Sequence, residues 1–107
     1  MNALSQLYEI ALKRKDEKIE GSYTCYLFEK GLDKILKKCG EECAETIIAA
    51  KNGDRTELVN EVCDLLYHLT VLLAQQNVPL SVVEAELSAR AQKQNNLKVM
   101  KTVDHNT

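Results

Sequence analysis

Two short stretches of the chain carry acids at spacings that could hold a divalent cation. In "KKCGEECAETIIAAK", Lys37 to Lys51, Glu41, Glu42 and Glu45 stand among Cys39, Cys43, Ile47 and Ala50. In "NEVCDLLYH", Asn60 to His68, Glu61 and Asp64 stand beside Val62, Leu65 and Leu69. A helix advances about 100° per residue. On that spacing Glu42 lies on the shoulder of the first apolar stripe, which centres between Cys39 and Cys43. Glu45 lies further round the same side, and Glu41 points nearly opposite. Glu61 flanks the second stripe, Asp64 follows on the same side, and His68 prolongs the line. One acid-x-x-acid pair on a solvated helix is ordinary surface charge. Two pairs, each bordering an apolar stripe on consecutive helices, are harder to dismiss. If the helices pack antiparallel, four carboxylates can face one another, and they repel unless cations sit between them. Mg²⁺ suits such a site, because it prefers oxygen ligands, keeps several waters and is readily shared with substrate phosphates.

The elements that must position these acids read as helices. Strand-like alternation is almost absent, whereas 3.6-residue periodicity is strong. Segment one, about 3–13, carries Leu4, Leu7, Tyr8 and Ala11 on one stripe, and the charged "RKDEKIEGSY" after it reads as a loop. Segment two starts near Ser22 or Thr24 and runs to Lys51, with Gly31 marking a break between a short helix and a long one. Its stripe is Leu32, Ile35, Leu36, Cys39, Cys43, Ile47 and Ala50. Gly40 inside the long helix costs about 1 kcal/mol relative to alanine, which predicts a packing or ligand-approach reason for it. Gly53 suits a left-handed C-terminal cap. Segment three, about 55–76, opens with Asp54 and Glu57 at capping-box spacing. Its stripe is Leu58, Val59, Val62, Leu65, Leu66, Leu69 and Leu73, widened by Cys63, Val71 and Leu72. Segment four, about 81–92, has a second such box at Ser81 and Glu84.

The expected fold class is therefore all-α, a bundle of two long and two shorter helices over residues 1–92, with a polar tail over 93–107. The apolar breadth of segment three predicts a homodimer that completes a four-helix core. The alternative is that segments one and four cover that surface within a monomer.

The 107-residue chain suits one domain. Its net charge of −2 creates no field that would gather nucleic acid or an anionic membrane surface. No apolar run is long enough to span a bilayer, and "MNALSQLYEIALKRK" lacks the order of a secretory signal, so the expected location is the cytoplasm. Four cysteines, Cys25, Cys39, Cys43 and Cys63, would stay reduced there. Cys39 and Cys43 share a helical face, but C-x-x-C and H-x-x-x-H pairs are both lacking, which argues against zinc. Cys39, Cys43 and Cys63 read instead as small buried hydrophobes.

The pairing of E-x-x-E at Glu42–Glu45 with E-x-x-D at Glu61–Asp64 resembles the all-α, MazG-like nucleoside triphosphate pyrophosphohydrolases. The stretches "GSYTCYLFEKGLDKILKKCGEECAETIIAAKN", "ELVNEVCDLLYHLTVLL" and "VEAELSAR" more closely resemble the phosphoribosyl-ATP pyrophosphatase family of histidine biosynthesis. The resemblance runs from Leu4 to Arg90. It implies Mg²⁺-dependent hydrolysis of phosphoribosyl-ATP, a nucleotide substrate built on ATP, to phosphoribosyl-AMP and pyrophosphate. It also implies a dimer of helical bundles. In that frame Glu42, Glu45, Glu61 and Asp64 hold the metal, and Glu42 or Glu45 orients or deprotonates water. Lys34, Lys38 and Arg90 meet phosphate oxygens, and Ser22 and Thr24 donate hydroxyls near a helix start. Each of these has a plainer reading. Ser22 or Thr24 can cap the helix, Lys38 can pair with Glu42 one turn on, Tyr67 can pack, and Arg90 can answer a helix dipole. His68 is expected behind the acids or at an interface. Two rival functions stay open: a related pyrophosphohydrolase acting on another nucleotide, and a non-enzymatic dimerising helical module.

Overall fold

Several helix ends carry a device that the local sequence dictates. A computed structural model describes residues 2–93, and all regular structure among them is helical. The helices are α1 (Ala3–Asp16), α2 (Tyr23–Lys30), α3 (Leu32–Asn52), α4 (Arg55–Gln75) and α5 (Leu80–Ala91). Asn2 caps α1 by accepting the Ser5 N–H at 2.8 Å, and Ser22 caps α2 by accepting the Cys25 N–H at 3.2 Å. The plainer role expected of Ser22 is thus the one its side chain performs. Gly31, at φ 92°, turns the chain between α2 and α3, a conformation L side chains rarely adopt. Gly53, at φ 69°, closes α3 as the left-handed cap expected there, and Asp54 accepts the Glu57 N–H at 3.0 Å to open α4.

The expected count of helices needs correcting. Two are long, but three are shorter, because Gly31 separates α2 from α3 completely. The box predicted at Ser81 and Glu84 does not form. Helix α5 begins one residue earlier, behind Pro79, with no side-chain cap and with Leu80 buried. Pro79 pre-sets the entry angle, so burial of Leu80 rather than capping places this start. Beyond its first two turns α5 is exposed, and residues 94–107, which include most of the expected polar tail, lie outside the described residues.

Helices α3 and α4, joined by the two-residue turn Gly53–Asp54, form an antiparallel hairpin that makes the largest contact in the fold. Helix α1 packs on α4, and α2 lies across α1 and α3. The Lys15 ammonium ties the end of α1 to the end of α4, donating to the Ala74 carbonyl and to Asn77 Oδ1, each at 2.8 Å. Tyr8, Ala11, Leu27, Ile35, Cys39, Val71, Ala74 and Leu80 form the core, with Phe28, Tyr67, Leu72 and Leu73 packed against it.

The buried face of α3 is not the one its apolar stripe predicts. The line facing the rest of the chain runs Ile35, Cys39, Glu42, Thr46 and Ala49, whereas Leu36, Cys43, Ile47 and Ala50 are exposed. On α4 the buried residues are His68, Thr70, Val71 and Ala74, while Val59, Val62, Cys63, Leu66 and Leu69 are exposed. Only Cys39 of the three cysteines read as buried hydrophobes is buried; Cys43 and Cys63 are exposed, and Cys25 is buried as well. Two faces of each long helix are apolar, and pattern alone does not say which faces its own chain. Gly40 also departs from expectation, since a Cβ there would meet nothing within 4 Å.

Leu27 and Ile35 are fully buried where α2 meets α3. Leu27→Ala is expected to cost about 2–5 kcal/mol of unfolding free energy in urea titration. Asp54→Ala should cost about 1 kcal/mol, the loss of one cap. Equal effects from the two would contradict the packing described.

Candidate active site

The turn at Gly53 sets the register of the acids. In an antiparallel hairpin, residues equidistant from the turn face each other. Glu45 and Glu61 lie eight residues either side of Gly53, and Glu42 and Asp64 eleven. The structure accordingly brings one carboxylate oxygen each of Glu42, Glu45 and Glu61 within 4.8 Å of one another. Asp64 is exposed at the rim of this cluster, one turn beyond Glu61, and its negative charge helps raise the Glu42 pKa.

Burial makes the cluster chemically unusual. Glu42 is only 6% exposed, on the same line of α3 as Ile35 and Cys39. Its pKa is raised, first by burial and then by contact with Glu45. Contact with Glu45, then burial, then contact with Glu42 push Glu61 up to about 7. Oε2 of Glu42 and Oε2 of Glu61 are both buried and have no hydrogen-bond partner among the described residues. An orphaned carboxylate oxygen in a crevice is costly. A cation among these oxygens would remove that cost, and an all-oxygen donor set suits a hard ion such as Mg²⁺. The residues present fit such an ion.

Around the acids lies a polar and aromatic wall. His68 is buried, and its Nδ1 lies 2.7 Å from the Asp64 carbonyl oxygen. A carbonyl only accepts, so Nδ1 carries the proton and, in the neutral ring, Nε2 is left as an acceptor. Nε2 lies 3.0 Å from the Tyr23 hydroxyl, which therefore donates to it. Thr24 Oγ1 is hydrogen-bonded to the Tyr67 hydroxyl. Tyr67 packs against the core, as its plainer reading had it, with a hydrogen bond to Thr24 added, and His68 is buried beside it.

The expected cations are placed unevenly. Lys38 is half-buried, and it pairs with Glu41 at 3.5 Å rather than with Glu42. Burial works against its ammonium, but Tyr23, Glu41 and Glu42 outweigh that and hold its pKa above the usual value. Glu41 is exposed, as its angle predicted, with Lys38 as its partner. Lys34 stands over the Tyr26 ring, 6.0 Å from its centroid. Arg90 is exposed on the last turn of α5 and pairs with Glu86 at 3.2 Å, so within one chain it is not gathered to the acids. Sequence reasoning missed Tyr23. Its signal was the three-residue spacing of Tyr23 and Tyr26 in "GSYTCYLFEK", which stacks both rings on one side of α2.

Together these features define a helical protein with a partly buried cluster of three carboxylates, Glu45 being its exposed member, close to tyrosine and threonine hydroxyls and the Lys38 ammonium. Residues 4–91 match the family described as phosphoribosyl-ATP pyrophosphohydrolase, and the chain belongs to that family. Among its relatives is a phosphoribosyl-ATP pyrophosphatase of Listeria welshimeri, 60% identical over 101 residues, covering 94% of this chain and 97% of that protein. Another, from Streptococcus sanguinis, is 56% identical over 102 residues, covering 95% and 98%. A third, from Clostridium botulinum, is 56% identical over 92 residues, covering 86% and 84%. No helix among the described residues is long and apolar enough to cross a membrane.

The raised Glu61 pKa ties stability to pH. Without metal, the folded state holds this proton more tightly than the unfolded chain. The resulting stabilisation is complete below the ordinary carboxyl value, near 4.5, and is lost as pH rises through about 7. In chelator, the melting temperature is expected to fall between about pH 5 and about pH 8. Glu61→Gln or added Mg²⁺ should flatten that fall. A pH-independent melting temperature in the unsubstituted protein would count against the crowding described.

Proposed function

We propose that the crevice between α3 and α4 is where this chain hydrolyses the α–β phosphoanhydride of phosphoribosyl-ATP, releasing phosphoribosyl-AMP and pyrophosphate in the second step of histidine biosynthesis. One observation carries the assignment of the site. Two buried carboxylate oxygens, on Glu42 and Glu61, lack a hydrogen-bond partner among the described residues, in a cluster of three acids. That arrangement is unfavourable in a resting structure and favourable around a cation. Glu42, Glu45, Glu61 and Asp64 would hold Mg²⁺, which when bound neutralises phosphate charge and supports the pyrophosphate leaving group.

The remaining roles belong to this chain's own groups. Glu42 or Glu45 orients the attacking water and takes its proton; for Glu42, a pKa raised first by burial makes it a better base near neutral pH than an ordinary carboxylate. The Lys38 ammonium, close to Tyr23 and Glu42, meets phosphate oxygens and is free to exchange Glu41 for them, because a pair partly open to solvent is weak. Ser22 caps α2 and Thr24 holds Tyr67, so both act by setting the wall; their hydroxyls reach substrate only by exchanging those partners. Arg90 would serve only if a second subunit or the end of α5 brings it near.

The dimer expected from the sequence is part of this proposal. Leu36, Gly40, Cys43 and Ile47 form one exposed stripe of α3, continued by Val59, Val62, Cys63, Leu66 and Leu69 on α4. Ile47 is 65% and Val59 55% exposed, an unusual cost for a free monomer. Gly40 lies in the middle of this stripe, and a Cβ there would meet nothing within 4 Å among the described residues, so a partner helix can approach it closely. A cytoplasmic location agrees with a small biosynthetic enzyme.

Pyrophosphate release from phosphoribosyl-ATP, measured against common dNTPs, tests the reaction; faster turnover of a dNTP would displace the assignment. Glu45→Gln and Asp64→Asn are expected to lower turnover by several orders of magnitude with helicity retained. An Asp64→Asn protein working at the parent rate would refute the site. Light scattering should give a dimer for the parent chain and a monomer for Ile47→Lys; a stable, active parent monomer removes the dimer.

A further inference from the structure

A row of aromatic rings leads away from the acids and ends at two lysines. Tyr23 stacks between Tyr67 and Tyr26, with centroid separations of 6.2 and 6.0 Å and interplanar angles of 29° and 24°. Its inner end is tied to the crevice through His68, which is held in turn by the Asp64 carbonyl. At its outer end, Lys30 Nζ and Lys34 Nζ stand 5.8 and 6.0 Å from the centroid of the Tyr26 ring. Lys30 is the last residue of α2 and Lys34 lies in the first turn of α3, so the Gly31 break bends two helix ends toward one ring.

Neither lysine forms an ion pair with a carboxylate among the described residues. A cation in the first turn of α3 also runs against the helix dipole. Tyr23 and Tyr26 remain 44% and 39% exposed, so part of each ring stays accessible to a ligand. Two uncompensated ammonium groups beside an open aromatic surface suit a ligand that carries both a flat ring and a free phosphate.

We propose that this row binds the part of the substrate remote from the triphosphate. The adenine lies against Tyr23 and Tyr26, and the 5′-phosphate of the added ribose sits between Lys30 and Lys34. The proposal rests on the placement of the triphosphate at the acidic crevice. It also explains orientation. A phosphate without a cation is repelled by Glu42, Glu45 and Glu61 and attracted by the lysines, so the two anionic ends of the substrate cannot exchange places. The phosphoribosyl group is what distinguishes the substrate from ATP, and these lysines would read it.

The Lys30→Gln/Lys34→Gln double variant tests this, with phosphoribosyl-AMP and AMP as inhibitors and as ligands in titration calorimetry. KM for phosphoribosyl-ATP is expected to rise roughly tenfold to a hundredfold, with a far smaller change in kcat. Binding of phosphoribosyl-AMP should weaken toward that of AMP, while AMP, which lacks the second phosphate, binds as in the parent. Tyr26→Leu should weaken both ligands, and arginine at positions 30 and 34 should restore most of the loss. An unchanged KM, or equal weakening of both ligands by the double variant, overturns the proposal. Calorimetry needs no turnover, so failure of this subsite is told apart from failure of the hydrolytic assignment, which the crevice carboxylates test.

Discussion

Crowding of negative charge between α3 and α4 is the constraint around which this fold is arranged. Three carboxylates share a space that one cation would fill, and two of their oxygens are cut off from water. Such a cluster is stable only if the helices bearing it are held together by something else. The hairpin supplies that hold. On the same line of α3, Ile35 and Cys39 pack into the core toward α4 residues Val71 and Ala74, so apolar contact further from the turn keeps the acidic portion closed. Local instability where chemistry occurs, offset by packing elsewhere, is the usual compromise at a functional site.

The short helix α2 contributes more than its eight residues suggest. Leu27 anchors it fully buried, while Ser22 fixes its start and Gly31 its end. That anchoring points Tyr23 and Thr24 at His68 and Tyr67 of α4, so the wall of the crevice is built across two helices far apart in sequence. The Asp64 carbonyl, which can only accept, places a proton on His68 Nδ1. With the ring neutral, the Tyr23 hydroxyl donates to Nε2, and the Tyr23 ring takes its place in the row that continues to Tyr26.

The exposed apolar face of the hairpin belongs to the same design. Its residues are as regularly spaced as those of the internal core, and they lie on the outer side of the two helices that carry the acids. In the dimer proposed for this chain, covering that face would stiffen the hairpin against the repulsion within it. Assembly and chemistry would then share one pair of helices.

Much of this was legible from residues alone. Periodicity, the glycines at 31 and 53 and the Asp54 cap specify the helices and the hairpin turn through local backbone physics. The acid spacing on α3 and α4 predicted carboxylates facing one another across the hairpin, and Glu42, Glu45 and Glu61 come together there, with Asp64 at the rim. What sequence could not decide was which of two apolar faces each long helix turns inward. Both have helical period, and the choice depends on contacts with α1 and α2 that no local pattern encodes. Hence Glu42 read as a shoulder residue and proved to be buried, and Leu36, Cys43 and Ile47 read as core and proved to be outside. The meeting of Tyr23 with His68, and of Lys30 with Lys34 over Tyr26, likewise required the tertiary structure. Those pairs form where one helix crosses or follows another at an angle, and separation along the chain carries no record of that angle.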